Sequence, residues 1–107
     1  MQEIGFDAYV DEIGKPGVGI FVLLLEDEYA YLGAQDSHWL NHTNERTFVV
    51  RLSVDDFKIL DYGVHPMFQF YLNGKEFRSL RGVISLDTFS KVLKDINHER
   101  RRKPSGR

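Results

Sequence analysis

Residues 62–82 read YGVHPMFQFYLNGKEFRSLRG and hold the clearest local signal in the chain. Two stretches rich in aromatic and strand-forming residues lie on either side of Asn73-Gly74. A two-residue type I′ turn needs positive φ at both central positions, which asparagine tolerates and glycine adopts freely. The reading is therefore a β-hairpin whose strands are antiparallel neighbours. Upstream, Asp55 and Asp56 cap a short helix that Gly63 closes. Downstream, SLDTFSKVLKDI sets Phe89, Val92, Leu93 and Ile96 on one helical face.

Working back toward the amino terminus, residues 18–25 are almost wholly apolar and residues 20–25 show no alternation. A strand of that kind is covered on both faces, which predicts the middle of a sheet with helices on each side. TFVVRLSV (47–54) alternates, with Phe48, Val50, Leu52 and Val54 on one face and Val49, Arg51 and Ser53 on the other. FDAYVDEI places Phe6, Tyr9, Val10 and Ile13 on one face of a helix that Gly14 and Pro16 stop. Residues 28–44 carry a ragged helical stripe of Leu32, Gln35, Trp39 and Leu40, weakened by Gly33. The order is helix, strand, helix, strand, helix, hairpin, helix. The first two strands, joined through a helix, are expected to be parallel, so the sheet is mixed.

At 107 residues with 42% hydrophobic and 13% aromatic side chains, the chain suits one compact domain, expected over 1–97. The apolar run 18–25 is far short of the ~20 residues that a spanning helix needs. No basic segment, apolar core and small-residue cleavage site begin the chain, so the expected address is cytoplasmic. There is no cysteine, which excludes disulfides, thiolate metal sites, cysteine nucleophiles and a dithiol redox cycle within the chain. The net charge of −2 divides unevenly: HERRRKPSGR (98–107) carries five basic side chains and one acid, leaving a net of −6 on the rest. An acidic body argues against a broad nucleic-acid-binding face on it. The basic stretch 98–107 lacks apolar content to hold it and is expected to be a disordered tail.

The order Tyr62-Gly63-Val64, Pro66, Asn73-Gly74, Gly82 and a final amphipathic helix from Asp87 resembles the carboxy-terminal half of thioredoxins. Pro66 to Gly74 and Gly74 to Gly82 are each eight residues, as the resemblance requires. It covers roughly residues 6–97, with its specific motifs from 62 onward. The resemblance implies a thioredoxin-like three-layer α/β sandwich, a central mixed sheet of about four strands flanked by helices, with Pro66 as a cis-proline. It also aligns GIFVLLLEDEYAYL with the strand and dithiol loop of that family, so Tyr29 and Leu32 stand where its cysteines would be. Leu23 stands where the family buries a proton-handling aspartate. Neither tyrosine nor leucine can act as a thiolate nucleophile or resolve a mixed disulfide, so oxidoreductase chemistry is rejected and no enzyme activity is expected.

What the resemblance then implies is a protein-binding module: an adaptor, assembly chaperone or regulatory factor whose groove pairs with an extended peptide. Its residues would be Tyr29, Tyr31, Leu32, His65, Pro66 and Met67, offering aromatic and thioether surface. The plainer alternative is that Pro66 only keeps a turn of the fold. A second reading is a nucleic-acid accessory protein using Arg100, Arg101, Arg102 and Lys103, against a solvated tail. A third is a non-redox enzyme using Glu26, Asp27 and Glu28, whose carboxylates could raise one another's pKa or hold magnesium. Consecutive residues seldom converge on one atom, however, and acids suit a helix amino terminus without catalysis. His38 and His42 share a helical face at a metal-chelating spacing, but no third ligand can be named, so no metal and no cofactor are expected.

Overall fold

The computed structural model of the chain describes residues 2–25, 44–59, 67–82 and 84–102. Its elements in order are β1 (Gln2–Ile4), α1 (Phe6–Ile13), β2 (Val18–Leu25), β3 (Arg46–Leu52), α2 (Val54–Ile59), β4 (Met67–Leu72), β5 (Lys75–Arg81) and α3 (Leu86–Arg101). The helix expected over 28–44 and the closure at Gly63 lie outside the described residues.

The five strands form one mixed sheet in the order β1-β3-β2-β4-β5. β2 is the middle strand, parallel to β3 and antiparallel to β4. Ile20, Phe21, Val22 and Leu23 are each 0% exposed, as the unbroken apolar run requires of a strand covered on both faces. The strand count is one more than the four expected. The addition is β1, three residues that pair with β3 in parallel and whose Glu3 meets Arg51 at 3.1 Å. So short and polar a strand leaves no alternation to read.

Each face of the sheet carries half of the core. On one, Ile20, Val22, Leu24, Val49, Phe68 and Phe70 pack with Phe89, Val92 and Ile96 of α3. On the other, Phe21, Leu23, Phe48, Val50, Leu52 and Met67 pack with Tyr9 of α1. The buried Tyr9 hydroxyl donates to Gln69 Oε1, tying α1 to β4 inside the core. Val10, expected on the inner face of α1, is instead 50% exposed. It lies a full ~100° step round the helix from Tyr9, whereas Phe6 and Ile13 lie closer in angle and pack inward.

Serines set the starts of two helices. The Ser53 hydroxyl accepts the Asp56 N–H at 3.1 Å while the Asp56 carboxylate accepts the Ser53 N–H at 3.2 Å, a reciprocal capping box. This cap ends β3 at Leu52, so Val54, expected to extend the strand's apolar face, begins α2 and is 58% exposed. Ser85 caps α3 by accepting the Thr88 N–H at 3.2 Å. α3 then runs to Arg101, past the boundary expected at 97 and into the stretch expected to be disordered. Arginine and glutamate are good helix formers, cations suit a helix carboxyl end, and Arg100 is held by Glu45 at 3.3 Å.

The hairpin turn is as read, with φ of 53° at Asn73 and 82° at Gly74. Asn73 also accepts the Gly17 N–H through Oδ1 at 2.7 Å and donates its own N–H to the Gly17 carbonyl at 2.9 Å. Between Phe70 and Tyr71 the β4–β5 register shifts through a bulge. Beside this turn, Glu12 of α1 meets Lys15 and Arg46, each at 2.6 Å. Its pKa lies below the usual 4.5, chiefly through the Lys15 hydrogen bond, then the charges of Lys15 and Arg46 and the Arg46 hydrogen bond, with burial opposing.

Two outcomes test this account. Asn73→Gly keeps the backbone freedom and loses only the side-chain bond from the Gly17 N–H, whereas Asn73→Ala loses both. Urea unfolding should show the alanine variant less stable than the glycine one by about 1 kcal/mol or more. A depressed carboxylate pKa contributes stability that is present above the unfolded value and lost as pH falls through the folded one. Wild-type urea midpoints should therefore drop below about pH 4.5 more steeply than those of Glu12→Gln, and parallel curves would remove Glu12 from the account.

Candidate functional site

Strand directions decide which side chains meet. β2 and β3 run parallel, so Leu25 and Leu52 end at one edge of the sheet, paired in register. β4 runs the other way, so Met67, opposite Leu23, begins at that same end, and Arg81 of β5 stands opposite Met67. The described residues thus break off after Leu25 and, past 44–59, resume at Met67, on adjacent strands at one end of the sheet. These are the flanks of the two segments holding Tyr29, Tyr31 and Leu32, and His65 and Pro66. Those five expected contact residues lie outside the described residues, as do Glu26, Asp27, Glu28, His38 and His42.

Met67, the sixth, is described. At 4% exposure it packs with Leu23, Val50 and Leu52, so its thioether lines the underside of this end. Leu23 is fully buried and in register with Val50 on one side and Met67 on the other. A carboxyl there would be desolvated with apolar neighbours; leucine fills the same place with no proton to give or take. Among the described residues no group of three metal-ligating side chains converges.

The end of the sheet is nevertheless not inert. Among the described residues the exposed large hydrophobic side chains are Val10, Val54 and Leu86. Two of these belong to this end: Val54 starts α2 directly after β3, and Leu86 starts α3 just beyond the end of β5. Sequence patterning missed both, because Val54 counts as strand alternation until the Ser53–Asp56 cap is seen, and Leu86 precedes the amphipathic stripe of its helix.

The opposite end of the sheet is built from charges and turns. Glu12, Lys15 and Arg46 form one cluster there, and the Asn73 turn is bonded to Gly17. The basic side chains expected to reach nucleic acid are divided by the structure. Arg100 is held by Glu45 and Asn97, and Arg102 meets Glu99 at 3.4 Å. Arg101 is exposed, and Lys103 lies outside the described residues.

No protein-family model matches the chain, and no curated protein is similar to it in sequence. Solved structures are similar in shape. One comes from a study of the thiol resolving mechanism in yeast mitochondrial 1-Cys peroxiredoxin, at TM-score 0.67 and 12% identity over 89% of this chain and 94% of the other. A designed protein gives TM-score 0.69 and 13% identity over 90% and 96%. The thioredoxin of Plasmodium falciparum gives TM-score 0.63 and 10% identity over 89% and 98%. At such identities the likeness speaks to the fold: the chain has a thioredoxin-like fold and, lacking cysteine, no dithiol.

If Leu23 is only a filler of its cavity, a carboxyl there is a burden. Leu23→Asp should destabilise the chain by about 3 kcal/mol or more, read from urea unfolding at pH 7, and regain part of that as the acid protonates at lower pH.

Proposed function

We propose that the chain is a non-catalytic thioredoxin-like domain that docks a protein partner, as an adaptor, assembly chaperone or regulatory factor in the cytoplasm. The docking face is the sheet end that carries residues 26–34 and 64–66. The observation that carries this reading is the placement of Val54 and Leu86. Both are half-exposed or more, and both sit on the elements that frame that end. Exposed apolar side chains suit a protein-binding surface, and the sequence places Tyr29 and Tyr31 in the segment that follows β2. Tyr29, Tyr31, Leu32, His65 and Pro66 are assigned to the contact, and Met67 supports it from beneath.

Docking at the end of the sheet, in place of an added strand along its side, also follows from the two outer strands. β1 is only three residues long. β5 carries Lys75, Glu76, Arg78 and Arg81 and pairs through a bulged register. Short, charged and bulged outer strands are poor templates for a further strand.

Affinity capture from the native host, with co-purifying chains identified by mass spectrometry, names the partner. Tyr29→Glu, His65→Glu and a Val54→Asp/Leu86→Asp pair should each reduce its recovery roughly tenfold or more while melting temperatures stay close to wild type. Val10→Asp, at an equally exposed apolar site away from this end, should change nothing. Undiminished capture by all three end variants places the interface elsewhere.

A further inference from the structure

Phe89, Val92 and Ile96 are buried and fix which way α3 faces. At about 100° per residue, Lys91, Lys94, His98 and Arg101 fall within an arc of roughly 80° on the opposite side of the helix. All four are exposed. They form a straight stripe roughly 15 Å long, from the helical rise per residue. None of the four makes a side-chain ion pair with another described residue. The nearby acids are engaged elsewhere: Asp95 by Arg78 at 2.9 Å, Glu99 by Arg102 and Glu45 by Arg100. Asp87, one turn before Lys91, is the acid at the amino end of the arc.

We propose that this stripe binds the phosphate backbone of nucleic acid, without selecting bases. Its composition separates this partner from an acidic protein. None of the exposed large apolar residues Val10, Val54 and Leu86 falls within the arc, so a protein laid along it gains ion pairs and little else. Exposed ion pairs contribute about 0.2–1 kcal/mol each. A polyphosphate binds through charge alone, because neutralising it releases condensed counterions. Apart from the small imidazole of His98 the stripe holds no ring on which a base could stack, so charge carries the binding of single and double strands.

The chain's net charge of −2 does not oppose this. Asp7, Asp11 and Glu12 lie on α1, across the sheet from α3, roughly 20 Å away at ~10 Å per packed layer. The Debye length at physiological salt is about 8 Å, so a phosphate at Lys94 meets the local field. The proposal also moves the basic contact from the tail to the helix. Arg100 and Arg102 have acidic partners, whereas Lys91 and Lys94 have none among the described residues.

The test is fluorescence anisotropy of the full chain with a labelled 20-nucleotide oligothymidine and a 20-base-pair duplex, in about 20 to 200 mM NaCl. Three neutralised phosphates give a slope of log K against log salt near −2 for the oligothymidine, at about −0.7 per phosphate, and near −2.7 for the duplex, at about −0.9. Lys91→Gln/Lys94→Gln should weaken binding roughly tenfold or more at the lowest salt and flatten the slope to about −1. Arg100→Gln/Arg102→Gln should have the smaller effect. Circular dichroism confirms that the variants fold, as exposed lysine-to-glutamine changes allow. The proposal fails if no salt-sensitive binding is seen at the lowest salt. It fails equally if Lys103→Gln/Arg107→Gln abolishes binding while the stripe variant leaves it intact, because the tail then carries the contact. It fails too if a 20-residue polyglutamate competes as well as the oligonucleotide, because the partner is then an acidic protein segment.

Discussion

A strand that is apolar on every residue can be stable in one place only, the middle of a sheet with a layer on each face. β2 imposes that condition on the rest of the molecule. It needs a backbone partner on each edge, supplied by β3 and β4. It also needs an apolar cover above and below, supplied by α1 with Tyr9 and by α3 with Phe89, Val92 and Ile96. The parallel pairing starts β3 at the end of the sheet opposite Leu25, and the antiparallel pairing starts β4 beside the end of β2. That Leu25 and Met67 lie at the same end of adjacent strands is thus a consequence of burying residues 18–24 of β2 on both faces.

Much of the fold was legible because its strongest signals are local. The Asn73-Gly74 turn, the unbroken run of β2 and the inner face of α3 each rest on backbone or periodicity rules that hold within a few residues. What escaped the sequence depends on contacts between distant residues. β1 exists because β3 has a free edge to receive it. Gln69 reads as a polar position in a strand, but it is fully buried because the hydroxyl of Tyr9, sixty residues away in sequence, meets it. Val54 and Arg101 were misjudged for a shared reason: a cap or a distant ion pair moved a helix boundary that composition alone placed elsewhere.

The candidate site was legible as a location more than as a surface. The absence of cysteine and the apolar residue at Leu23 remove the chemistry that a thioredoxin-like fold supports at this end, and both can be read directly from the sequence. Exposure cannot. Met67 was expected to be a contact surface and is instead buried, while Val54 and Leu86, which the pattern did not mark as exposed, are half-exposed or more. The charges behave likewise. A count of arginines pointed to the terminal stretch, but Arg100 and Arg102 meet acids there, whereas Lys91, Lys94 and Arg101 on the outer side of α3 make no ion pair among the described residues.

The bulge between Phe70 and Tyr71 bears on how the protein behaves in a crowded solution. A core this rich in β-branched and aromatic residues is a ready seed for fibrils if a flat strand edge is ever presented to another molecule. The shifted register interrupts the flat ladder of β4 and β5, and the charged side chains Lys75, Glu76, Arg78 and Arg81 make β5 a poor edge for an added strand. At the far side β1 is too short to template anything. The described sheet therefore keeps a cross-β-competent interior while offering no long flat edge on which a second sheet could grow.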